Sequence, residues 1–288
     1  MSTSLQYDRS AADVSVPSCR HCGGWRHWLG IRYACAFVLL ILSVLSCHQG
    51  IQSSRVVRVF AASSLASVLT AAETAFETLH PAIDIRLSFA GSQVAKHQIL
   101  AGAPADVFMS AHHEYIAALT SEALVVEKMT VAFSGLAIVT AANMPEPRSY
   151  TDLPSIDRIV LGASEVPLGM YTRESFAKVG PEFASKVLPN VVSLESNAQL
   201  VIAKVALGEA GAAIAYRHMG GLDSKVQVQR VPVQYDVDVK YVAAILKTNA
   251  SQQESTEQFV DYLASQAGRQ LFKEFGFDTS RREAQVNE

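Results

Sequence analysis

Apolar and polar positions alternate along the chain in stretches typical first of a strand and then of a helix. Residues 56–61 (VVRVFA) form a largely apolar, β-branched run of the kind found in buried parallel strands. Residues 65–79 then carry apolar side chains at helical spacing. Residues 83–89 alternate as a strand, and residues 94–100 return to helical spacing. Strands that alternate with helices in this way predict βαβ units around a parallel sheet.

The remainder of the chain continues this alternation and predicts a second α/β unit after the first. Further strands are predicted at residues 106–110, 131–141, 158–162, 211–216 and 237–246. Further helices are predicted around residues 114–119, 174–177, 197–207, 255–264 and 267–275. Because no Pro/Gly/Ser-rich linker separates the two units, we expect two lobes joined by strand-like crossovers. Residues 278–288 are predicted to be a polar tail.

The composition excludes several classes of protein. Of the 288 residues, 49% are hydrophobic and 18% are charged, which excludes a disordered chain and a coiled coil. Outside residues 1–47 there are 20 basic and 25 acidic residues, with no cluster of Lys and Arg. Such a weakly acidic body lacks the positive surface that nucleic-acid binding requires. We therefore expect a small ligand and no nucleic-acid partner.

Residues 1–47 are predicted to be a signal peptide of the lipoprotein type. Their long apolar run, residues 33–46, follows several basic residues and is too short to span a membrane comfortably. Residues 44–47 (VLSC) resemble a bacterial lipobox, which predicts a lipid anchor on Cys47. One alternative is an ordinary secretion signal that is cut near Ser46. Another is a start codon that lies downstream of the first methionine.

The cysteines all lie in this leading segment or at its end. They are Cys19, Cys22, Cys35 and Cys47, so the exported body is expected to contain no disulfide. Cys19 and Cys22 have the spacing of half a metal clip, but the chain has no second pair. Coincidence is therefore the favoured interpretation of that spacing.

Three junctions between a strand and a helix carry hydroxyl groups or backbone amides available to a ligand. They lie at residues 62–65 (ASSL), 90–93 (AGSQ) and 167–170 (PLGM). The first turn of a helix has N–H groups without intrahelical partners, and it binds anions without a charged side chain. In an open parallel sheet such junctions gather at the carboxyl ends of the strands. One junction alone is more consistent with a helix cap, but several together would form an oxyanion cage.

The tips of these junctions contain no acidic and no basic side chain. A site for protonated phosphate would need an acceptor for the proton of the ligand, whereas a cage of donors favours a fully deprotonated oxyanion. Molybdate, tungstate and sulfate are such ions. The residues by themselves therefore predict an anion site of this kind and leave the choice among the three ions open.

Several segments together resemble the substrate-binding proteins of bacterial molybdate ABC importers. The similarity extends from about residue 56 to residue 277, and the order of the segments is more specific than any one of them. The segments are residues 59–65 (VFAASSL), 88–111 (SFAGSQVAKHQILAGAPADVFMSA), 166–176 (VPLGMYTRESF), 211–216 (GAAIAY) and 272–277 (FKEFGF).

This resemblance implies a type II periplasmic-binding-protein fold, in which two α/β lobes enclose the ligand in a cleft. It places lobe 1 at residues 55–131 plus 237–277 and lobe 2 at residues 132–236. Closure would be a hinge motion that the ligand stabilises by contacting both lobes. The implied partners are the permease and ATPase of an ABC importer, with a monomeric binding protein and no cofactor besides the ligand.

The resemblance also implies which residues hold the molybdate or tungstate oxygens. Ser64 and Ser92 would each offer a hydroxyl and a backbone amide, and Leu168 and Ala198 would each offer a backbone N–H. Tyr216 would donate its phenol, which is protonated at its usual pKa of about 10. None of these residues would ligate the metal atom directly.

The chain departs from the family pattern near these positions. Ser63 stands where alanine is common, and Gly91 stands where serine is frequent. Asn197 replaces an expected acidic residue, which makes Ala198 the least secure of the five. Without the resemblance, Tyr216 would be interpreted as a core or hinge aromatic.

Three alternatives to molybdate binding stay open. The first is a binding protein for sulfate or another tetrahedral oxyanion. The second is a hydrolase with Ser63 or Ser64 as nucleophile, although the chain lacks a G-x-S-x-G elbow there and no histidine is placed by motif as its base. The adjacent histidines His112 and His113 are interpreted as surface residues. The third is an adhesion lipoprotein, for which we find no aromatic-rich face.

Overall fold

The computed structural model describes residues 55–143, 149–221, 224–247 and 250–280. The predictions for residues 1–47, with Cys47 and the Cys19–Cys22 pair, lie outside this range. Residues 281–288 of the predicted tail also lie outside it. Among the described residues, no helix combines the length and the apolar composition needed to cross a bilayer.

Strands and helices alternate over most of the described range, as the sequence predicts. The strands are β1 (Arg55–Ala62), β2 (Ile83–Ala90), β3 (Val107–Ser110), β4 (Val125–Ser134), β5 (Leu136–Ala141), β6 (Ile159–Gly162), β7 (Val191–Glu195), β8 (Ala212–Tyr216), β9 (Val226–Arg230) and β10 (Val239–Leu246). The α-helices are α1 (Ala66–Leu79), α2 (Ser92–Leu100), α3 (His113–Ser121), α4 (Pro167–Val179), α5 (Phe183–Val187), α6 (Ala198–Ala206), α7 (Ala250–Ala264) and α8 (Gln266–Glu274). Short 3-10 turns occupy Ser63–Leu65, Tyr150–Ser155, Leu188–Asn190 and Arg217–Gly221.

The strands form two mixed sheets. The first sheet has the order β2-β1-β3-β10-β4, with β1 parallel to β2 and β3, and β10 antiparallel to both of its neighbours. The second has the order β7-β6-β8-β5-β9, with β6 parallel to β7 and β8, and β5 antiparallel to β8 and β9. The boundaries of the two lobes stay predictions. The strands of the first sheet lie at residues 55–134 and 239–246, and those of the second at residues 136–230.

The predicted strand at residues 131–141 is wrong as a single element, because the chain leaves the first sheet there and enters the second. β4 ends at Ser134 and β5 begins at Leu136, with Gly135 between them. Both halves are buried, so the apolar run shows no break at the crossover. A Cβ on Gly135 would lie 1.8 Å from the guanidinium of Arg217 and 2.4 Å from the carboxylate of Asp236. A side chain at this position would therefore displace the Arg217–Asp236 ion pair.

The carboxylate of Asp236 connects this crossover to the segment between β9 and β10, through which the chain returns to the first sheet. Oδ1 of Asp236 accepts hydrogen bonds from the backbone N–H of Leu136 at 2.8 Å and of Val237 at 2.9 Å. Oδ2 of Asp236 pairs with the guanidinium of Arg217 at 3.0 Å. Charge-assisted bonds of this kind are stronger than neutral ones. Asp236 therefore fixes the relative position of the two connections.

The strands that the sequence analysis missed are edge strands, and the short helix α5 was missed as well. β7 and β9 form the two edges of the second sheet, and β4, whose first half was not predicted, forms an edge of the first. An edge strand exposes part of its length to solvent, so polar residues interrupt the apolar run that identifies a central strand. In β4, residues 126–128 are exposed whereas residues 131–134 are buried.

The predicted polar tail begins too early. Asp278 exchanges backbone hydrogen bonds with Phe133 at 2.8 and 2.9 Å. The side chain of Thr279 is fully buried. These two residues belong to the packed body because they pair with the buried end of β4.

The helices of the first sheet pack against one another through aromatic side chains. Phe76 of α1 is fully buried and meets Phe259 of α7 edge to face, with ring centroids 5.2 Å apart. The ring of Tyr262 lies 5.5 Å from the same ring. Leu79, one turn further along α1, is 64% exposed.

Replacing Phe76 with alanine tests this packing. We expect Phe76→Ala to lower the free energy of unfolding by about 3–5 kcal/mol, because it leaves a cavity between α1 and α7. Leu79→Ala in the same helix is the matched control and should change it by less than about 0.5 kcal/mol. Urea titration followed by circular dichroism measures both. Equal losses in the two variants would contradict the packing described.

Candidate functional site

The N-termini of four helical segments lie around one cavity. This cavity is located at the ends of strands from both sheets. Three of the helical segments follow β1, β2 and β7 directly, and the fourth follows β6 after a short loop. The space at this cavity measures about 190 Å³ when the open solvent at its mouth is counted with it. The lining residues are Ala62, Ser63, Ser64, Ala90, Gly91, Ser92, Ala111, Val166, Pro167, Asn197, Ala198 and Tyr216.

The structure brings four of the five predicted site residues to this cavity. Ser64, Ser92, Ala198 and Tyr216 line it. Leu168 has a fully buried side chain and does not line the cavity, but it directly follows Val166 and Pro167, which do. Its predicted contribution was a backbone N–H from this turn. The binding role of all five residues stays a prediction.

At the cavity, the helices begin with backbone N–H groups that no side chain of the protein caps or that are capped only in part. Neither α2, which begins after Gly91, nor α4, which begins after Val166, has a side-chain cap. At α6 the side chain of Asn197 accepts a hydrogen bond from the N–H of Leu200 at 3.1 Å, which leaves the N–H of Ala198 uncapped by it. First-turn amides without a partner are the groups that bind anions at helix N-termini.

Two serine hydroxyls at the cavity are held by groups behind them. Oγ of Ser64 lies 3.0 Å from the phenol oxygen of Tyr241. Oγ of Ser92 accepts a hydrogen bond from the backbone N–H of Ala111 at 3.2 Å. Both hydroxyls therefore have a defined position at the edge of the cavity, and each can still donate a proton to a ligand.

Tyr216 ends β8, and its side chain is only 1% exposed. Burial raises the pKa of its phenol well above the usual value, so the group keeps its proton at any physiological pH. Within the described part of the chain the phenol makes no hydrogen bond. It is therefore a donor available to an anion in the cavity.

The cavity wall carries no formal charge. None of its lining residues is acidic, basic or histidine. Across the described residues there is also no group of three or more His, Cys, Asp and Glu side chains that could hold a metal ion. An anion in this cavity would be stabilised by neutral donors, and a metal cation would find no ligand set on its wall.

Contacts between the two sheets close the cavity. The side-chain amide of Gln93 donates to the carbonyl of Ser196 at 2.8 Å. A Cβ on Gly91 would lie 2.5 Å from that same carbonyl, so glycine permits this close approach. The rings of His112 and Tyr171 lie 4.9 Å apart across the same boundary. Elements of both sheets therefore make direct contacts beside the site.

His218 lies directly behind the serine turn, and sequence analysis did not identify it. Its Nε2 lies 3.1 Å from the carbonyl oxygen of Ser64, and its Nδ1 lies 3.0 Å from Oγ of Ser134. A carbonyl can only accept, so Nε2 carries the proton and Nδ1 accepts from the Ser134 hydroxyl. Burial lowers the pKa of His218 to about 3, so the ring is neutral. No local motif indicates this residue, because its partners are distant in the sequence.

Known proteins resemble this chain over most of its length. A family model described as bacterial extracellular solute-binding protein matches residues 57–278. The molybdate-binding protein ModA of Mycobacterium tuberculosis is 31% identical over 264 residues, which cover 87% of this chain and 98% of the relative. The Bacillus subtilis protein YvgL, described as an ABC transporter substrate-binding lipoprotein, is 27% identical over 222 residues, 75% of this chain and 84% of the relative.

Solved structures share the same architecture. The periplasmic molybdate-binding protein of Azotobacter vinelandii superposes with a TM-score of 0.68 at 17% identity, covering 77% of this chain and 98% of that one. The sulfate-binding protein SubI of Mycobacterium tuberculosis superposes with a TM-score of 0.70 at 16% identity, covering 77% and 86%. At these identities the likeness establishes the fold.

The lowered pKa of His218 predicts a pH dependence of stability. The unfolded chain takes up a proton on this residue below a pKa of about 6.5, whereas the folded protein does so only near 3. Stability from this residue is thus complete above about pH 6.5 and falls as the pH drops toward 3. Between pH 7.5 and pH 5 the loss should be about 2 kcal/mol.

Urea unfolding of the wild type and of His218→Gln at the two pH values measures this contribution. Glutamine can keep a donor toward Ser64 and an acceptor toward Ser134, but it does not titrate. The variant should therefore lose about 2 kcal/mol less than the wild type on acidification. The same loss in both proteins would contradict a neutral, buried His218.

Proposed function

This chain belongs to the bacterial extracellular solute-binding proteins, and from that premise we propose that it captures molybdate or tungstate and delivers it to an ABC importer. The relationship that the sequence motifs predict is confirmed by the family match and by the molybdate-binding relative. The type II periplasmic-binding-protein fold with two lobes is confirmed by the solved structures.

The observation that carries this proposal is a cavity between the two sheets whose wall offers donors and no charge. A fully deprotonated tetrahedral dianion accepts hydrogen bonds on every oxygen and has no proton to donate, so a wall of donors matches it. Hydrogen bonds to a charged group contribute about 1.5–3 kcal/mol each, and several together can offset the cost of removing the ion from water. Discrimination by ion size would then separate molybdate and tungstate from smaller oxyanions.

Five residues are proposed to hold the oxygens of the ion. Ser64 and Ser92 would each donate a hydroxyl and a backbone amide, and Tyr216 would donate its phenol. The backbone N–H groups of Leu168 and Ala198 would complete the cage from the second sheet. Support comes from the common cavity that four of these residues line, and from the uncapped first turn that contains Leu168.

We infer that the site binds its ligand without catalysing a reaction. A serine nucleophile needs a base on its hydroxyl, but Nε2 of His218 contacts the carbonyl oxygen of Ser64 and not its Oγ. The hydroxyl of Ser64 contacts a tyrosine that burial keeps protonated. Within the described residues, neither arrangement activates Ser64 for attack.

We also propose that the protein is exported and works at the outer face of a membrane. A lipid on Cys47 would anchor it there, facing the periplasm, and the permease and ATPase of the importer would be its partners. The relative YvgL, described as an ABC transporter substrate-binding lipoprotein, supports both the anchor and the importer. The protein would act as a monomer whose closed form the permease recognises.

Sulfate is the second candidate ligand. The same wall of donors would satisfy its oxygens, and a sulfate-binding protein shares the fold of this chain. The two candidates differ in ion size and not in the chemistry of the contacts.

Calorimetric titration of the protein that begins after Cys47 tests the proposed ligand. Molybdate or tungstate should bind at submicromolar concentration and at least tenfold more tightly than sulfate. Sulfate binding as tight as that of both metal oxyanions would overturn the assignment and favour the second candidate. Elemental analysis of the protein as isolated provides an independent check.

Removing single donors from the cavity should weaken binding. Ser92→Ala and Tyr216→Phe should each weaken molybdate binding by about 1–3 kcal/mol, because each leaves one oxygen of a desolvated anion unpaired. Ser185→Ala and Tyr262→Phe remove the same groups at positions outside the cavity and should leave the dissociation constant unchanged. Unchanged affinity in both cavity variants would place the site elsewhere.

A further inference from the structure

A pair of hydroxyl groups behind the cavity determines where one lining serine directs its proton. Oγ of Ser64 lies 3.0 Å from the phenol oxygen of Tyr241. Tyr241 lies on β10 and is fully buried, whereas Ser64 also borders the cavity. Each hydroxyl carries one proton, so only one of the two groups can donate across this contact.

The two possible orientations differ in how many protons find an acceptor. If Ser64 donated to Tyr241, the phenol proton would need a second acceptor, but Ser64 is the only hydrogen-bond partner of this phenol among the described residues, and the rings of Tyr216, His218 and Phe277 pack against its ring. A buried donor without an acceptor is costly. If Tyr241 donates to Ser64, its own proton is satisfied, and the proton of Ser64 is free to point into the cavity. The second orientation is therefore the favoured one.

The hydroxyl of Ser92 also accepts a hydrogen bond from the protein, in this case from the backbone. Its Oγ accepts a hydrogen bond from the N–H of Ala111 at 3.2 Å, and a backbone N–H can only donate. The proton of Ser92 is thus also left for the cavity. Both lining serines accept from the protein and are set to donate to the ligand.

We propose that Tyr241 is a positioning residue that makes Ser64 a donor toward the ligand and so helps the site to reject anions that carry a proton. Sulfate and hydrogen phosphate have the same charge and nearly the same size, but hydrogen phosphate must place one O–H against an acceptor. One lone pair of each serine oxygen is used by the protein and its O–H is directed at the ligand, so an O–H of hydrogen phosphate would face a donor proton at both hydroxyls. This inference rests on the proposed function, since it assigns the basis of its selectivity.

The serine turn has a second support that does not depend on Tyr241. Nε2 of His218 donates to the carbonyl oxygen of Ser64 at 3.1 Å and holds the backbone of the turn. Removing the phenol hydroxyl should therefore leave Ser64 in place while releasing its O–H to rotate. In that state Ser64 can accept a proton from the ligand, and the preference for deprotonated anions should narrow.

A double-mutant cycle tests this role. The dissociation constants of sulfate and of inorganic phosphate at about pH 8 are measured by calorimetry for the wild type, Tyr241→Phe, Ser64→Ala and the double variant. Tyr241→Phe should narrow the preference for sulfate over hydrogen phosphate by about tenfold. In the Ser64→Ala background, Tyr241→Phe should alter the preference for sulfate over hydrogen phosphate by less than about twofold, because Tyr241 acts through Ser64.

Two outcomes would overturn the inference. One is an unchanged preference for sulfate over hydrogen phosphate in Tyr241→Phe. The other is that Tyr241→Phe narrows this preference equally with and without the Ser64 hydroxyl, which would indicate a merely structural role. Tyr262→Phe is the matched control and should leave the preference as in the wild type. If Tyr241→Phe does not fold, Ser64→Ala alone remains informative. It should narrow the preference, since it removes the oriented donor, and an unchanged preference there also refutes the inference.

The comparison separates this inference from the proposed ligand. Sulfate against molybdate tests which ion the protein carries, whereas sulfate against hydrogen phosphate tests the direction of the Ser64 proton. If the wild type prefers sulfate to molybdate, the proposed ligand is refuted, but the double-mutant cycle can still be interpreted. A wild type that binds hydrogen phosphate as tightly as sulfate would refute the inference and leave molybdate as the proposed ligand.

Discussion

An anion without a countercharge can be held out of water only by hydrogen-bond donors that have no other partner. The proposed site of this protein depends on keeping such donors unused. Helix beginnings supply them, because the first-turn amides have no intrahelical acceptors. At α2 and α4 no side chain caps these amides, although capping would stabilise an isolated helix. These helix starts therefore lack the stability that a cap would add, and their amides stay available to the proposed anion.

The two sheets make this arrangement possible because each supplies two of the four helix beginnings. Neither sheet alone encloses an ion, and the cavity exists where they meet. The chain passes between the sheets at Gly135 and again just before β10, and the carboxylate of Asp236 holds the two passages together. Contacts such as the one between Gln93 and Ser196 form only when the sheets approach. The cavity and the contacts between the sheets therefore share one boundary.

A second layer of buried polar groups lies behind the cavity wall. Tyr241 and His218 make no contact with the cavity themselves, yet each holds one part of Ser64. Burial keeps the phenol protonated and the imidazole neutral, so the imidazole donates to the carbonyl oxygen of Ser64 and the phenol keeps a proton that it can donate to the Ser64 hydroxyl. A wall of neutral donors requires this kind of support, because a hydroxyl that can rotate provides no fixed polarity.

The sequence by itself determined the central strands, the helices that follow them and the residues that resemble a molybdate site, since these are local patterns of apolar spacing and short motifs. Ser64, Ser92, Ala198 and Tyr216 could be named in this way and line one cavity. Only the tertiary structure decided the break at Gly135, the edge strands β7 and β9, and the roles of Tyr241 and His218. The physical reason is that burial on both sides of Gly135 hides a crossover, and solvent exposure interrupts the apolar pattern of an edge strand. The Ser64–Tyr241 contact joins residues 177 positions apart, and no local pattern contains both.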